Sequence, residues 1–162
     1  MKNNAAYWIN KLNLQPHPEG GFYKEVCRSQ MEVIIVANNA KVKQAVTSIY
    51  YLLEGNDYSG FHRLKSDEIW YFHKGSPLHI HVLDKAGLLQ SIELSDLETG
   101  SLSAVIPAGL WFAAEIPSKQ GFCLASCAVA PGFDFAEFEM AEKEALCQGY
   151  PQYVGLITRL CR

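Results

Sequence analysis

A mainly β chain with a short helix at each end is the fold that this sequence predicts. Three observations predict it. From Val42 to Ala130, short runs of β-branched and aromatic residues alternate with turns rich in Gly, Pro, Asn and Asp. Some of those runs, Leu78-His79-Ile80-His81-Val82-Leu83 most plainly, alternate apolar and polar residues with period two. The two ends switch to helical spacing, with Tyr7, Ile9 and Leu12 at one and Val154, Leu156, Ile157 and Leu160 at the other.

The elements follow in order. Asn3 to Leu14 predicts a helix that Asn4 can cap and Pro16 ends. Pro16-His17-Pro18-Glu19-Gly20-Gly21 is a turn, placed to cover a pocket mouth or to pass to a partner subunit, with Glu19 helping to hold its shape. Phe22 to Cys27 predicts a strand; Glu32 to Ala37 fits a strand or a buried connection. Val46 to Leu53, Tyr58 to Leu64, Asp67 to His73 and Leu78 to Leu83 predict strands, and Asp84-Lys85-Ala86-Gly87 a hairpin turn into Leu88 to Leu94. Ser103 to Ile106, Leu110 to Ala114 and Phe122 to Ala130 complete the β part. Glu139 to Gln148 predicts a helix stopped by Gly149, and Pro151 opens a last one. The division is an N-terminal helix and arm over 1–40, a barrel core over 42–135 and C-terminal helices over 139–162, all in one domain.

Composition bounds the function. A chain of 162 residues buries roughly 68–70% of its unfolded surface, enough for a core without staples. The 49% apolar and 19% charged content is that of a globular protein. A net charge of −3 with scattered basic residues argues against nucleic acid or an anionic membrane as partner. No run reaches the ~18 apolar residues of a membrane span, and the first residues lack the apolar middle of a secretion signal. The cysteines Cys27, Cys123, Cys127, Cys147 and Cys161 form an odd set without a CxxC pair, which points to free thiols in the cytoplasm. Cys123 and Cys127 share a strand face about 13 Å apart, too far for a disulfide. No phosphate loop, dinucleotide fingerprint, zinc-helix motif or nucleophile elbow occurs.

The stretch from Phe61 to Gly75 carries the chemistry. His62 and Glu68 fall on inward positions of two adjacent predicted strands, so that imidazole and carboxylate point into one cavity. In that reading Glu68 orients His62, and His62 is a general acid or base; the bland alternative is a buried, hydrogen-bonded pair. Leu64, Trp70, Phe72 and Phe112 share the interior by the same parity, as a pocket wall for a flat ligand or simply as filling. His79 and His81 lie together on one strand face, lining the cavity or facing away from it. Arg63 and Tyr71 point outward, Arg63 toward an ion pair.

His17-Pro18-Glu19-Gly20-Gly21-Phe22, Phe61 to Trp70, Pro107-Ala108-Gly109-Leu110-Trp111-Phe112 and Val129-Ala130-Pro131-Gly132-Phe133-Asp134-Phe135 resemble the cupin superfamily. The resemblance is to a group of short single-domain cupins of unknown function. It implies a double-stranded β-helix, the jelly-roll barrel, and a homodimer built on sheet edges and N-terminal strands. The general cupin pattern is H-x-H, Glu, Gly, followed by P-x-G-x-x-H. His62, Glu68 and Gly75 match it, while the other two metal ligands fall on Leu64 and Phe112. Hydrocarbon side chains cannot donate to a metal, so neither a metal nor another cofactor is expected. His81, where the resemblance also holds, is the candidate to rescue a metal site, the least favoured of three readings.

The first reading is a metal-independent isomerase or epimerase acting on a carbohydrate-like or nucleotide-linked substrate. It draws on the resemblance to metal-independent sugar-nucleotide epimerases, in which a pocket histidine is the base; His62 takes that part here, with Glu68. The second is a module that binds a small ring compound without turnover, with Leu64, Trp70, Phe72, His81 and Phe112 as contacts.

Overall fold

The computed structural model describes residues 4–36 and 41–162. The predicted starting residue of the first helix, Asn3, and the predicted end of the third segment, Ala37, lie outside the described residues.

Helix α1 (Ala5–Leu12) begins where the Asn4 side chain accepts the Tyr7 N–H, as its sequence predicts. It ends one turn before Pro16, at Asn13, which adopts the left-handed conformation. The strands that follow are β1 (Gln15–Pro16), β2 (Phe22–Arg28), β3 (Glu32–Ile35), β4 (Lys41–Gln44), β5 (Thr47–Glu54), β6 (Tyr58–Leu64) and β7 (Asp67–Gly75). Then come β8 (Leu78–Leu83), β9 (Leu89–Leu94), β10 (Ser103–Ile106), β11 (Trp111–Glu115), β12 (Phe122–Ala130) and β13 (Phe138–Met140). Helices α2 (Lys143–Gly149) and α3 (Val154–Leu160) close the chain.

Two antiparallel sheets face each other. One runs β1-β2-β5-β12-β7-β10 and the other β13-β6-β11-β8-β9; β3 and β4 form a separate hairpin. Strands distant in sequence alternate within each sheet, which is the jelly-roll arrangement. β1, β2 and β13 extend the sheets beyond residues 42–135.

The period-two pattern decides what lies between the sheets. Tyr51, Trp70, Phe72, Ile106 and Cys127 from the first sheet pack against Leu78, Ile80, Val82 and Phe112 from the second. The outer faces are covered by the helices. Trp8, Ile9 and Leu12 of α1 pack on Leu52 and Leu124. Leu146, Ile157 and Leu160 of α2 and α3 pack on Phe61, Leu83 and Ala113. Phe61 and His62 therefore separate as adjacent residues on a strand must, one under the helices and the other inside the barrel.

The predicted helix from Glu139 to Gln148 is shorter than expected. Its first residues belong instead to β13, where Phe138, Glu139 and Met140 pair with Leu64, Arg63 and His62 of β6. Glu139 also holds Arg63 at 2.8 Å, the outward ion pair expected for Arg63, and the helix starts after Glu142 caps Ala145 N–H. Tertiary pairing outweighs helical propensity at Glu139 and Met140.

Candidate functional site

One end of the barrel is filled by rings and the other holds a cavity of about 140 Å³. Its walls come from the 15–19 turn, β2, β5, β6, β7, β12 and the segment around β13. His62 and Leu64 reach it from β6, Glu68 from β7, Cys127 and Val129 from β12, and His17 and Glu19 from the turn. Phe133, Phe135 and Phe138 line it too, stacked edge to face at 4.8 Å between the first two. Polar groups thus converge at one part of the wall, and Gln15, Glu25, Arg28, Thr47 and Ser48 add further polar lining beside the phenylalanines.

Glu19 is the centre of the polar cluster. Its side chain is buried, and Oε2 lies 3.3 Å from His62 Nε2 and 3.6 Å from His17 Nδ1. Ser59 Oγ donates to Glu19 Oε1 at 3.0 Å. The backbone carrying Glu19 is held by its neighbours: Gly60 N–H donates to Glu19 O at 2.8 Å, and Tyr51 Oη to Gly20 O at 2.7 Å.

Hydrogen bonds assign the ring protons. His62 Nδ1 sits 2.7 Å from Gly60 O, which only accepts, so Nδ1 carries a proton. Nε2 then turns its lone pair toward the Glu19 carboxylate, so the two acceptors form a place for one added proton. His17 is the opposite tautomer. Its Nδ1 accepts the Glu19 N–H at 3.3 Å, which leaves a neutral ring with its proton on Nε2. Burial pushes the His17 ring below its ordinary range; Glu19 opposes the shift and His62 adds to it.

Glu68 stands apart from this cluster. Burial, and then the Glu19 charge, push its carboxyl up to about 8. The neighbouring Cys127 thiol and Trp70 indole oppose the shift, yet Glu68 Oε2 and Trp70 Nε1 are both buried without a hydrogen-bond partner. An orphaned carboxyl oxygen in hydrocarbon is costly as an ion, so Glu68 carries its proton at neutral pH.

His62, Leu64 and Glu68 lie at the cavity, where strand parity points them. The carboxylate at the imidazole is not that of Glu68, as the spacing predicts, but that of Glu19, which the 15–19 turn brings to it. Trp70, Phe72 and Phe112 are inside the barrel but belong to the packed core, not to the cavity wall. Phe112 still touches the site from behind, with its ring 4.1 Å from that of His62. His81 is on the outer face of its sheet. Its Nε2 meets Glu115 at 3.2 Å and its Nδ1 meets Ser91 Oγ at 2.8 Å. The alternation that put Ile80 and Val82 inside put His81 outside. His17, Glu19, Cys127 and the three phenylalanines were missed as site residues, although His17 and Glu19 lie in a segment that resembles the cupin pattern.

The donor set does not suit a transition metal. Leu64 and Phe112 stand at two ligand positions, both His62 nitrogens are engaged within the protein, and Glu68 holds a proton. Among the described residues no three His, Cys, Asp or Glu side chains are arranged to hold an ion.

Comparison with known proteins agrees with this architecture. A hypothetical protein from Leishmania major is 34% identical, with a TM-score of 0.88 over 98% of this chain and 99% of its own. A Shewanella oneidensis protein of solved structure is 37% identical, with a TM-score of 0.88 over 98% of both chains. An uncharacterized Saccharomyces cerevisiae protein is 31% identical over 84% of this chain and 74% of its own. Oxalate decarboxylase from Bacillus subtilis shares the fold at 15% identity, with a TM-score of 0.56 over 90% of this chain and 36% of that enzyme. The model of the family described as Cupin superfamily (DUF985) matches residues 6–141. The barrel, the motif residues within it and these relatives together make the chain a member of that cupin family.

Proposed function

We propose that the protein is a metal-independent isomerase or epimerase acting on a small carbohydrate-like compound. The observation that carries the reading is Glu68, a proton-bearing carboxyl that shares one cavity with the His62–Glu19 couple. A proton-bearing carboxyl and a proton acceptor that face one cavity are what acid–base chemistry needs.

In the first step the C–H bond next to a substrate carbonyl breaks. The proton goes to the His62–Glu19 couple and is held between Nε2 and Oε2. The electron pair moves to the carbonyl oxygen, which takes the Glu68 proton to give a neutral enol. For isomerisation the couple gives its proton to the former carbonyl carbon while Glu68 recovers a proton from the neighbouring hydroxyl, which becomes the new carbonyl. For epimerisation solvent water supplies a proton to the other face of the first carbon, Glu68 takes back the enol proton and the couple releases its own to water. His17 Nε2–H is a further donor for a substrate oxygen. A cavity of about 140 Å³ admits roughly one six-membered ring, so any nucleotide attached to the sugar lies beyond the phenylalanine rim.

The same rim supports a second reading, a module that binds a ring without turnover. One experiment separates the two. Aldoses, ketoses and nucleoside-diphosphate sugars are incubated with the protein in D₂O, and deuterium at the carbon next to the carbonyl is followed by NMR. Catalysis predicts incorporation that His62→Ala and Glu68→Gln reduce about 10²-fold or more. Saturable binding of a compound in the panel without any incorporation overturns catalysis in favour of the binding module.

We assign a second copy of the chain as partner. Supporting this, the outer edge of β2 beyond Tyr23 has no strand partner among the described residues, and Val26, Met31, Ile34 and Val42 are exposed beside it. The five free cysteines support a reducing, cytoplasmic setting.

A further inference from the structure

We propose that Arg162 is a positioning residue for the site: its guanidinium holds the turn that carries Glu19 against the strand that carries His62. The proposal rests on the reading of Glu19 and His62 as the proton-handling couple.

The contacts are these. Arg162 Nε donates to Glu19 O at 2.7 Å. Arg162 Nη2 donates to Tyr58 O at 2.8 Å and to Asp57 Oδ1. Asp57 in turn accepts the Gly21 N–H through Oδ2 at 2.7 Å. One guanidinium therefore ties both ends of the Glu19-Gly20-Gly21 segment, one directly and one through Asp57, to the start of β6. Two residues later in β6, Gly60 gives its N–H to the same Glu19 O and its carbonyl to His62 Nδ1. The arginine thus ties the backbone of Glu19 to the start of the strand that carries His62, with no hydrogen bond to either side chain of the couple.

Local shape is consistent with a dedicated contact. Gly20 has a φ of +115°, and a Cβ there would collide with the guanidinium and with Tyr58 O. A Cβ at Gly60 would lie 3.2 Å from Arg162 Cγ. The guanidinium also covers the Tyr58 ring at 4.5 Å. Arg162 is brought there by α3, whose Ile157 and Leu160 are buried against β6 and β11, and by Tyr58 Oη donating to Cys161 O. The C-terminal helices consequently have a task beyond covering a sheet: they deliver a side chain to the back of the cavity. Residues 142–162 lie outside the segment matched by the family model, so the cupin motifs do not point to it.

The test needs no substrate. Full-length wild type, Arg162→Ala, Arg162→Lys and Arg159→Ala are compared by NMR. Arg159 fixes α3 through Glu115 and makes no contact with the turn, so it reports loss of helix anchoring alone. Three signals are read: exchange of the Gly60 amide, the His17 ring nitrogens, and the carboxyl carbon of Glu68 across pH. In Arg162→Ala, Gly60 amide exchange rises about tenfold or more. His17 Nδ1 loses its acceptor shift, and the Glu68 midpoint falls from about 8 as Glu19 withdraws its charge. Arg162→Lys restores part of each change, and Arg159→Ala leaves all three as in wild type. Unchanged signals in Arg162→Ala, or equal changes in Arg159→Ala, overturn the proposal. Should Arg162→Ala not fold, Asp57→Asn supplies the same comparison. An ordinary Glu68 midpoint in wild type sinks the catalytic reading, while Gly60 and His17 still decide the clamp.

Discussion

Glu68 is the residue whose chemistry the barrel changes most. Its folded carboxyl titrates at about 8 and its unfolded one near 4.5. The folded state therefore binds the proton more tightly, and stability falls as pH rises from about 4.5 to about 8, then levels. Glu68→Gln removes that dependence. Its unfolding free energy relative to wild type should rise across this range, by an amount on the order of a few kcal/mol; denaturant titrations at pH 5 and pH 8 measure it. A parallel slope in the two proteins would show that Glu68 ionises freely. Under the catalytic reading, exchange activity falls as pH climbs through about 8, because Glu68 loses its proton. Glu19→Gln acts on the other half of the couple. It keeps the acceptor for Ser59 but cannot hold a proton for His62, so exchange should drop about 10²-fold or more with the fold intact.

At the scale of elements, two attachments decide whether the site is held. Gly75 ends β7 with a φ of +115°, and a Cβ there would collide with Phe122 O of β12. Gly75→Ala should cost about 2 kcal/mol or more in chemical denaturation, since strain and collision add. Helix α3 is fixed to the outer sheet by apolar and ionic contacts together. Ile157 is fully buried, so Ile157→Ala should cost about 2–5 kcal/mol. Beside it Glu115 receives Lys119, Arg159 and His81. Burial opposes ionisation of Glu115, but Arg159 and Lys119 outweigh it and hold the carboxyl at about 2. A depressed carboxylate stabilises the fold above its unfolded value near 4.5 and loses that contribution as pH falls toward 2. Arg159→Ala should therefore unfold at higher pH than wild type in an acid titration followed by circular dichroism.

For the whole molecule, the barrel concentrates polar groups at one end and seals the other with rings. One set of exposed apolar side chains, Tyr71, Leu102 and Val105, lies on or next to β7 and β10, and another, Val26, Met31, Ile34, Val36 and Val42, on or next to β2 and the β3–β4 hairpin. A two-stranded ribbon is marginal by itself, and this one is pinned by Lys41 and Lys43 to Glu137 on the segment that lines the cavity. Dimerisation over this face predicts a sedimentation mass of about twice 18.1 kDa. Ile34→Lys should return it to a monomer with the strand content unchanged. No helix among the described residues is long and apolar enough to cross a membrane.

The residues by themselves determined the strands, the inward set and the cupin resemblance. Side-chain alternation is a local property, so Tyr58 to Leu64, Leu78 to Leu83 and Phe122 to Ala130 were legible to the residue. His62, Leu64 and Glu68 were legible at the cavity for the same reason. Tertiary structure alone decided which polar groups meet. Glu19 reaches His62 because a turn and a strand separated by some forty residues are brought together, and nothing in the spacing of either encodes that distance. Phe138 to Met140 became a strand because β6 offered it an edge. His81 went outside and Trp70 into the core because parity sorts residues into two faces, whereas only packing says which part of the inner face is left open.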